Sequence, residues 1–479
     1  MPATLRSFLE QAGSRVIEID DPVDPINQVG ILSSESRHPF LLNNLKGFPG
    51  WRMCDRLLVS RELQALAIGA PDPRKINSYL ADRMFRVGPG KTKMVADGPC
   101  KEVKLIGEAA DVTKLPVPIH SIGDAGRYIG SGVTITKDPE TGIRNEAMIR
   151  AMVKEPRRLP FWMAARHNWG HYLKYQERGE PMPMAYAIGL HPAYEILANY
   201  SGQHESWDEL ELGAGVLGEE LEMVPCETID LEVPAHAEII IEGIVRPNVR
   251  EQEGPFGEFT TYRQGAEGPA PVWEITAITH RKNPIFRHVQ STCFTDHQDL
   301  VSLAMEATLY NRLRDVQGKS DVHEVYIPRY ATLFTVFIQM TPRWDGQARD
   351  VLLAALSSPN LHPKIVIAVD EDVNIHDPRE VFWAMSTRVN PERDIIVIPH
   401  ERIHPLDISV PRVTDAEVTV MRVGGKMAID ATKPPLWRKK AREGFERVQP
   451  TGAGDHTLDE ILAVLRDAAS TGMPQTARR

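Results

Sequence analysis

The stretch "SGVTITKDPETGIRNEAMIRAMV", residues 131–153, is a predicted β-hairpin that opens the central part of the chain. β-Branched residues flank the segment 138–142, whose aspartate, proline and glycine favour a turn between two strands. Further strand candidates follow at "MAYAIGL", "AEIIIEGIV" and "VWEITAITH". The sequence therefore predicts a sheet-dominated middle domain, a barrel or half barrel.

The second predicted strand carries Asn145 and Arg150. Side chains alternate between the two faces of a strand, so a separation of five residues puts them on opposite faces of an ideal strand. They could serve two neighbouring sites, or a bulge could turn them to the same side. A turn asparagine and an exposed arginine are the ordinary alternative, which the strand pattern alone favours.

A second unusual stretch is "EGPFGE", residues 253–258, which sets two acids, Glu253 and Glu258, five residues apart. A surface turn would explain the proline and the glycines, but neither the acids nor Phe256 between them. A rigid turn that holds two carboxylates near each other can push their pKa values apart, so that one keeps a proton for general acid chemistry. This interpretation requires partners from elsewhere in the chain.

The regions on either side of the predicted sheet have different patterns. Before it, amphipathic helices at "TLRSFLEQAG" and "SRELQALAIG" end at Gly13 and Gly69, the second with Ser60 as N-cap. After it, a long helix precedes apolar strands that alternate with helices, the pattern of a sheet covered on both faces. We predict a multidomain α/β and α+β protein with four parts: an N-terminal α+β domain (1–112), the central domain (113–298), an α/β domain (299–435) and a C-terminal linker with a helix (436–479).

Composition and charge narrow the possible partners of the 479-residue chain, which is 42% hydrophobic and 25% charged like an ordinary soluble globular protein. The formal net charge of −10 argues against a nucleic-acid or anionic-membrane surface. No apolar run approaches the roughly 20 residues of a membrane helix. The N-terminal stretch has Arg6 and Glu10 where a signal peptide needs an apolar segment. We therefore expect small molecules or proteins as partners and a cytoplasmic location.

The cysteines are far apart in the sequence and form no CxxC pair: Cys54, Cys100, Cys226 and Cys293. This spacing suggests neither a zinc ribbon nor a disulfide framework. Reduced thiols are the expectation.

Three further segments offer candidate ligands. "RHNWGHY" contains His167 and His171, a spacing that can bind zinc, although the glutamate of the protease motif is absent. A single histidine with carboxylate and amide oxygens would instead suit manganese or magnesium. Glu209, in "ESWDELELG", has a solvated helix face as its default interpretation. Lys364, at the start of a buried strand, could reach a phosphate or simply flank the sheet.

Taken in order, these motifs resemble those of the UbiD family of decarboxylases, which use prenylated FMN. The similar stretches span residues 130–432: "NEAMIRAMV", "ARHNWGHY", "ELELGAGVLGEE", "EGPFGE", "KIVIAVDEDVN", "VFWAMSTR" and "GGKMAIDAT". The resemblance implies an N-terminal α+β domain, a central split β-barrel that binds the flavin, and a C-terminal α/β oligomerisation domain. It also implies a homodimer or homohexamer, and a flavin prenyltransferase that supplies the cofactor.

The resemblance assigns roles to individual residues. Asn145, His167 and Glu209 match ligands of a divalent metal, usually manganese or else magnesium, that bridges to the flavin phosphate, often with a potassium ion nearby. Lys364 resembles a phosphate-contacting lysine, and the other cofactor-contacting positions are Ser131, Arg150, Asn199 and Ser201. Arg150, Glu253 and Glu258 match a catalytic network. Burial and the second carboxylate would raise the pKa of the acid and the arginine would lower it, and the sequence leaves the balance open.

The chemistry that the resemblance implies is reversible, non-oxidative decarboxylation of an α,β-unsaturated or (hetero)aromatic carboxylic acid through a covalent substrate adduct with prenylated FMN. Glu258 is then the proton donor. His297, in "STCFTDHQDL", is a candidate substrate contact, with a helix-capping turn at Asp296 and a solvent-exposed histidine as the equal alternative. An inactive scaffold or subunit of a carboxylase complex, or a plain FMN oxidoreductase on a split barrel, remains open as a different function.

Overall fold

The computed structural model of the protein describes residues 2–163, 166–201, 206–263, 268–292, 294–314, 321–413, 421–451 and 457–470. Within these ranges, no helix is both long and apolar enough to cross a membrane. Cys54, Cys100 and Cys226 are free thiols, and Cys293 lies outside the described residues.

The first stretch contains the two capped helices that the sequence predicts, and both predictions are confirmed. The Thr4 hydroxyl accepts a hydrogen bond from the Ser7 N–H at 3.0 Å, and Gly13 ends this helix. Ser60 caps the second helix, which ends at Gly69 in the left-handed conformation. The elements are α1 (Leu5–Ala12), β1 (Ile17–Ile19), α2 (Val29–Glu35), β2 (Phe40–Leu42), β3 (Arg52–Asp55), α3 (Arg61–Ile68), α4 (Ile76–Asp82), β4 (Lys91–Met94) and β5 (Val103–Ile106).

The middle stretch consists mainly of strands, and the predicted hairpin is its first ladder. The hairpin turn closes where the Asp138 N–H donates to the Ile143 carbonyl at 2.9 Å. The elements are β6 (Arg127–Ile129), β7 (Val133–Lys137), β8 (Arg144–Met148), β9 (Ala151–Val153), β10 (Arg158–Pro160), α5 (His167–Arg178), β11 (Met182–Ile188), α6 (Pro192–Leu197), α7 (Glu209–Leu217), β12 (Glu220–Pro225), β13 (Glu232–Pro234), β14 (Ile239–Glu253), β15 (Gly268–His280) and β16 (Ile285–Arg287).

The last stretch alternates helices and strands. Its last strand is described from Met421 onward. The elements are α8 (His297–Arg314), β17 (Val322–Tyr326), β18 (Thr335–Met340), α9 (Gln347–Leu356), β19 (Ile365–Val369), α10 (Pro378–Arg388), α11 (Pro391–Asp394), β20 (Ile395–Ile403), β21 (Arg412–Val413), β22 (Met421–Ala431), α12 (Lys439–Glu443) and α13 (Leu458–Ser470).

The central sheet has the strand order β10-β15-β14-β11-β7-β8, with β5 added on β15. In the hairpin register, Thr136 of β7 lies opposite Asn145 of β8. Among the described residues, no ladder joins β10 to β8, so the sheet does not close. The split barrel therefore stays a prediction, while the chain as a whole is a multidomain α/β protein.

Strands of the first stretch pair with strands of the middle stretch. β16 runs parallel to β3, with Ile285 opposite Arg52, and completes a sheet of order β1-β2-β3-β16. β4 pairs with β12, whose other neighbour is β13. These ladders cross the boundary predicted at residue 112, which no independent observation tests and which stays a prediction.

The last sheet has the order β17-β18-β19-β22-β20, with β21 on β22. Along β19, Val366 and Ala368 pack in one hydrophobic core, whereas Ile367 and Val369 pack in another. Both faces of the strand are therefore buried, because side chains alternate along it. This confirms the predicted α/β layering of the last stretch.

Arg287, the last residue of β16, links the three stretches of the chain. Its fully buried guanidinium donates to Asp55 at 2.9 Å, to Glu195 at 3.2 Å and to Asp296 at 3.4 Å. These carboxylates lie at the end of β3, in α6 and just before α8. Burial raises the pKa of Asp55 to about 6 and that of Glu195 to about 7, although Arg287 opposes both shifts.

Replacing Arg287 by leucine should lower the free energy of unfolding by about 3–5 kcal/mol, because three buried carboxylates would lose their cation. Denaturant unfolding of the purified protein measures this change. Arg74→Leu is the control, since the Arg74–Asp72 ion pair is exposed and should contribute little. Equal unfolding midpoints for Arg287→Leu and Arg74→Leu would contradict the role given to Arg287.

Candidate active site

Strand β8 collects several of the predicted site residues. The Asn145 amide oxygen lies 2.9 Å from His167 Nδ1, at the first residue of α5. The Glu146 backbone N–H donates to Glu209 Oε2 at 2.8 Å, at the first residue of α7. One strand therefore brings the three predicted metal ligands into one region of the structure.

Glu146 and Glu209 form a reciprocal pair. While Glu209 accepts from the Glu146 N–H, Glu146 Oε2 accepts from the Glu209 N–H at 2.9 Å. Burial raises the pKa of Glu209 to about 8 and the pKa of Glu146 well above its usual range. Glu146 Oε1 is buried without a hydrogen-bond partner. A cation beside these carboxyls would compensate the cost of their ionisation.

Among the described residues, no group of three or more histidine, cysteine, aspartate or glutamate side chains is arranged to hold a metal ion. The predicted set contains only two such residues, His167 and Glu209, because its third member is an asparagine. The metal site thus stays a prediction. The other histidine of the motif, His171, has its Nδ1 2.9 Å from the Thr136 hydroxyl, and burial lowers its pKa to about 4.

Arg150 contacts both acids of the 253–258 turn. Its Nε and Nη2 donate to the two oxygens of Glu253 at 3.1 and 3.2 Å, and its Nη1 donates to Glu258 Oε1. The guanidinium carbon lies 4.7 Å from the centre of the Phe256 ring. This contact explains the aromatic residue in the turn, since an arginine stacks favourably on a ring face.

The prediction that Arg150 lies on the same strand as Asn145 is wrong. β8 ends at Met148, and β9 begins only at Ala151. Arg150 falls between the two strands, where the alternation of side chains no longer fixes its direction. The predicted exposure of an ordinary surface arginine is also wrong, because only 9% of its side chain is accessible.

Burial dominates the electrostatics of Glu258. It raises the pKa of the carboxyl, the negative charges of Glu253 and Asp124 raise it further, and Arg150 lowers it. The net direction is upward. The balance that the sequence leaves open is therefore decided by desolvation, and the Glu258 carboxyl is suited to hold a proton at a higher pH than an exposed glutamate.

Sequence analysis missed the segment that holds the turn, residues 121–128. The Tyr128 hydroxyl accepts a hydrogen bond from the Gly254 N–H at 3.2 Å, and Asp124 Oδ1 accepts one from the Gly257 N–H at 2.8 Å. A Cβ at Gly257 would lie 2.9 Å from the Ser121 hydroxyl, so the close approach of the turn to this loop favours glycine here. The available signal was the cluster of prolines and glycines before the hairpin, which marks an irregular loop.

The remaining candidate residues are spread around this region. Ser131 is buried and donates to the Arg287 carbonyl, and Asn199 Nδ2 lies 3.2 Å from the Met148 sulfur on β8. Ser201 accepts from Arg166. These contacts are compatible with a site beside β8, and the cofactor roles of the three residues stay predictions.

Two candidates lie on or next to the last stretch. Lys364 Nζ is 2.7 Å from Asp407 Oδ2 and 2.6 Å from the Ser409 hydroxyl, and its phosphate contact stays a prediction. His297 is the first residue of α8 and is half-buried. The alternative prediction of a solvent-exposed histidine is therefore wrong. The Asp296 carboxylate accepts from the Leu58 N–H at 3.2 Å and from Arg287. The substrate contact of His297 stays a prediction.

Comparison with known proteins identifies the family. The model of the 3-octaprenyl-4-hydroxybenzoate carboxy-lyase Rift-related domain matches residues 92–292, and that of the corresponding C-terminal domain matches residues 298–431. The chain therefore belongs to the UbiD family, as its motifs suggest, and it is an enzyme of the carboxy-lyase class.

Three relatives, one of them represented by two structures, are similar over nearly the whole chain. The anhydromevalonate phosphate decarboxylase of Methanothermobacter thermautotrophicus is 31% identical over 93% of this chain and 99% of its own. The UbiD-class enzyme HmfF from Pelotomaculum thermopropionicum, in complex with FMN, is 33% identical with a TM-score of 0.86, covering 95% and 99% of the two chains. An evolved dimeric form of HmfF, in complex with prenylated FMN (prFMN), is 32% identical with a TM-score of 0.84, covering 96% of this chain and 100% of its own. The apo 3,4-dihydroxybenzoic acid decarboxylase from Enterobacter cloacae is 26% identical with a TM-score of 0.82, covering 94% of this chain and 97% of its own.

Replacing Glu253 by glutamine should lower the pKa of Glu258, because the Glu253 charge contributes to raising it. Infrared or NMR titration of the Glu258 carboxyl measures the shift. Glu251→Gln is the matched control, since Glu251 lies on the same strand but pairs with Lys154 at 2.7 Å. An unchanged or raised pKa of Glu258 in Glu253→Gln would contradict this description.

The raised pKa of Glu258 also makes the stability of the folded protein depend on pH. A carboxyl whose pKa is raised on folding binds more protons in the folded state at pH values above about 4.3, the ordinary value for glutamate. The stability that protonated Glu258 contributes is therefore present at low pH and is lost as the pH rises through the folded-state pKa.

Proposed function

We propose that the protein catalyses the reversible, non-oxidative decarboxylation of an α,β-unsaturated or (hetero)aromatic carboxylic acid, with prenylated FMN as cofactor and Glu258 as proton donor. The observation that carries the proposal is the buried Glu258 carboxyl with a raised pKa, held against Arg150 and Glu253. The prFMN complex of HmfF supports the cofactor. Two of these relatives, those from Methanothermobacter thermautotrophicus and Enterobacter cloacae, are named as decarboxylases, which supports the reaction class.

Each side chain of the network has a separate task. Glu253 holds the Arg150 guanidinium through two parallel hydrogen bonds, which fix its orientation. Arg150 orients the Glu258 carboxyl and limits how far its pKa rises. Glu258 delivers a proton to the substrate carbon that has lost carbon dioxide. Prenylated FMN, when bound, supplies an electrophilic carbon and accepts the electrons left by that loss.

The proposed metal set fits a hard divalent cation. Asn145 and Glu209 offer oxygen donors and His167 an imidazole nitrogen, a combination that suits manganese or magnesium. Glu146, beside Glu209, adds a further buried carboxyl to the same region, with Arg144 Nε 3.9 Å from its Oε1. We propose that these ligands would hold Mn²⁺, whose charge would offset that of the flavin phosphate, and that K⁺ would be a second ion. Ser131, Asn199, Ser201 and Lys364 are the proposed flavin contacts, and His297 is the proposed substrate contact.

The proposal includes the arrangement of the whole protein. We propose that the central sheet is the split barrel, that the four predicted domain ranges hold, and that the last α/β domain forms a homodimer or homohexamer. Phe382 of α10 is 62% exposed and Val397 of β20 is 66% exposed, which supports a covered surface there. A flavin prenyltransferase is the proposed supplier of the cofactor, and the cytoplasm the proposed location.

Replacing Glu258 by glutamine should lower the rate of decarboxylation by about 10²–10⁴-fold, because glutamine keeps the shape but cannot give up a proton. The assay uses enzyme co-expressed with a flavin prenyltransferase. 3,4-Dihydroxybenzoic acid and anhydromevalonate phosphate, taken from the names of the relatives, head a screen of unsaturated and aromatic acids. Glu251→Gln is the control. Turnover of Glu258→Gln at the wild-type rate would contradict the proposal.

Replacing Glu209 by glutamine should weaken manganese binding by about 100-fold or more. Loss of a group that only orients a metal ligand lowers metal affinity by about 10–100-fold, and loss of the ligand itself should cost at least as much. Titration with Mn²⁺, followed by metal analysis, measures this. The control is Glu211→Gln, in the same helix, whose carboxylate lies 3.3 Å from the Thr92 hydroxyl. If Glu209→Gln and Glu211→Gln bind manganese equally, Glu209 is not a ligand.

A further inference from the structure

A cavity of about 190 Å³ that opens to the protein surface has Glu258 and Asp124 among its lining residues. Its outer end includes Ile122, which is 97% exposed, whereas Glu258 is only 4% exposed. Hydroxyl groups line its walls: Ser121, Thr261, Ser291 and Thr292. Since a water molecule takes up about 30 Å³ in the liquid, the cavity has room for several, and the hydroxyls offer them hydrogen-bond partners.

The overall reaction requires such a route. Decarboxylation of a carboxylate, RCOO⁻ + H⁺ → RH + CO₂, consumes one proton per turnover, and that proton ends on the substrate carbon. Glu258 must therefore be reprotonated each time it acts as donor. Arg150 cannot supply the proton, because an arginine stays protonated in proteins, and Glu253 is fully buried behind it. The proton has to come from water that reaches the Glu258 carboxyl.

A second carboxyl is built into the cavity wall. Asp124 Oδ1 accepts from the Gly257 N–H at 2.8 Å, and its Oδ2 accepts from the Ser121 N–H at 2.9 Å. These two hydrogen bonds fix the Asp124 carboxyl, and one of them comes from Gly257, the residue that precedes Glu258. Burial raises the pKa of Asp124, while Arg150 and Arg263 lower it, so its protonated form is more accessible than that of an exposed aspartate.

We propose that this cavity is the proton inlet of the enzyme and that Asp124 passes protons from its water to Glu258. The inference rests on the proposed role of Glu258 as donor and adds the path by which that donor is reloaded. The charged groups that face Glu258 are Arg150, Glu253 and Asp124, and those that face Asp124 are Arg150 and Arg263. The roles differ: Glu258 reacts with substrate, whereas Asp124 acts only through Glu258.

The first test needs no substrate. Infrared difference spectra between the wild-type holoenzyme and Glu258→Gln, in mildly acidic buffer, identify the C=O stretch of the protonated Glu258 carboxyl. Transfer into D₂O then shifts this band as the proton exchanges. Ser291→Leu, which fills the cavity, should slow the exchange by about tenfold or more relative to Ser291→Ala, which does not. Equal exchange rates in the two folded variants would overturn the inlet.

Asp124→Asn tests the relay independently and keeps the shape of the side chain. Its Glu258 band should exchange about tenfold more slowly than in wild type, and kcat should fall with KM unchanged on any acid that the enzyme turns over. The control is Asp111→Asn, whose carboxylate likewise accepts a backbone N–H, that of Thr113 at 2.9 Å. A raised KM with unchanged kcat would make the cavity a substrate pocket and overturn the relay.

Failure of the proposed function and failure of the proposed inlet would give different results in these experiments. If Glu258→Gln removes no band and retains full turnover, Glu258 is not the proton donor and the proposed function fails. If Glu258→Gln is inactive but Asp124→Asn and Ser291→Leu exchange and turn over like wild type, the function stands and the inlet is wrong. Slow exchange in both cavity variants, with normal exchange in Asp111→Asn, supports the inlet.

Discussion

The pairing of one buried arginine with two carboxylates organises the site. Arg150 forms two parallel hydrogen bonds to Glu253 and a third to Glu258, with the Phe256 ring against its face. Removing Arg150 would leave the buried Glu253 and Glu258 carboxyls without their cation, which is costly. The 253–258 turn, the loop that holds it and the segment after β8 must therefore keep their relative positions, and the burial that raises the pKa of Glu258 depends on this packing.

Strand β8 connects the surroundings of the proposed proton donor, Glu258, to the proposed metal ligands. β8 contributes Asn145 and the backbone contact to Glu209, and the chain then turns to place Arg150. The proposed acid chemistry and the proposed cofactor anchoring are thus separated by only a few residues at the end of β8. A scaffold of this kind holds reacting groups more accurately than a free loop would.

Local sequence patterns predicted many of the helices and strands of this fold. The features that they did not predict depend on contacts between residues far apart in the sequence. Helix caps such as Thr4 and Ser60 act on their own neighbours, so sequence alone located them. The direction of Arg150 depended on where β8 ends, which no local rule gives. The partners of Arg287 come from three distant regions, although an arginine within the apolar run "PIFRHV" was a sign of burial. The site residues were identified through motif resemblance rather than through spacing.

The central claim is that this chain uses prenylated FMN with a divalent metal, and one measurement tests it most directly. The protein is co-expressed with a flavin prenyltransferase, the small molecule released on denaturation is identified by mass spectrometry, and the metal content is analysed in parallel. The account predicts prenylated FMN together with manganese. Plain FMN would contradict it in favour of an oxidoreductase, and the absence of any flavin would indicate a scaffold or subunit without its own chemistry.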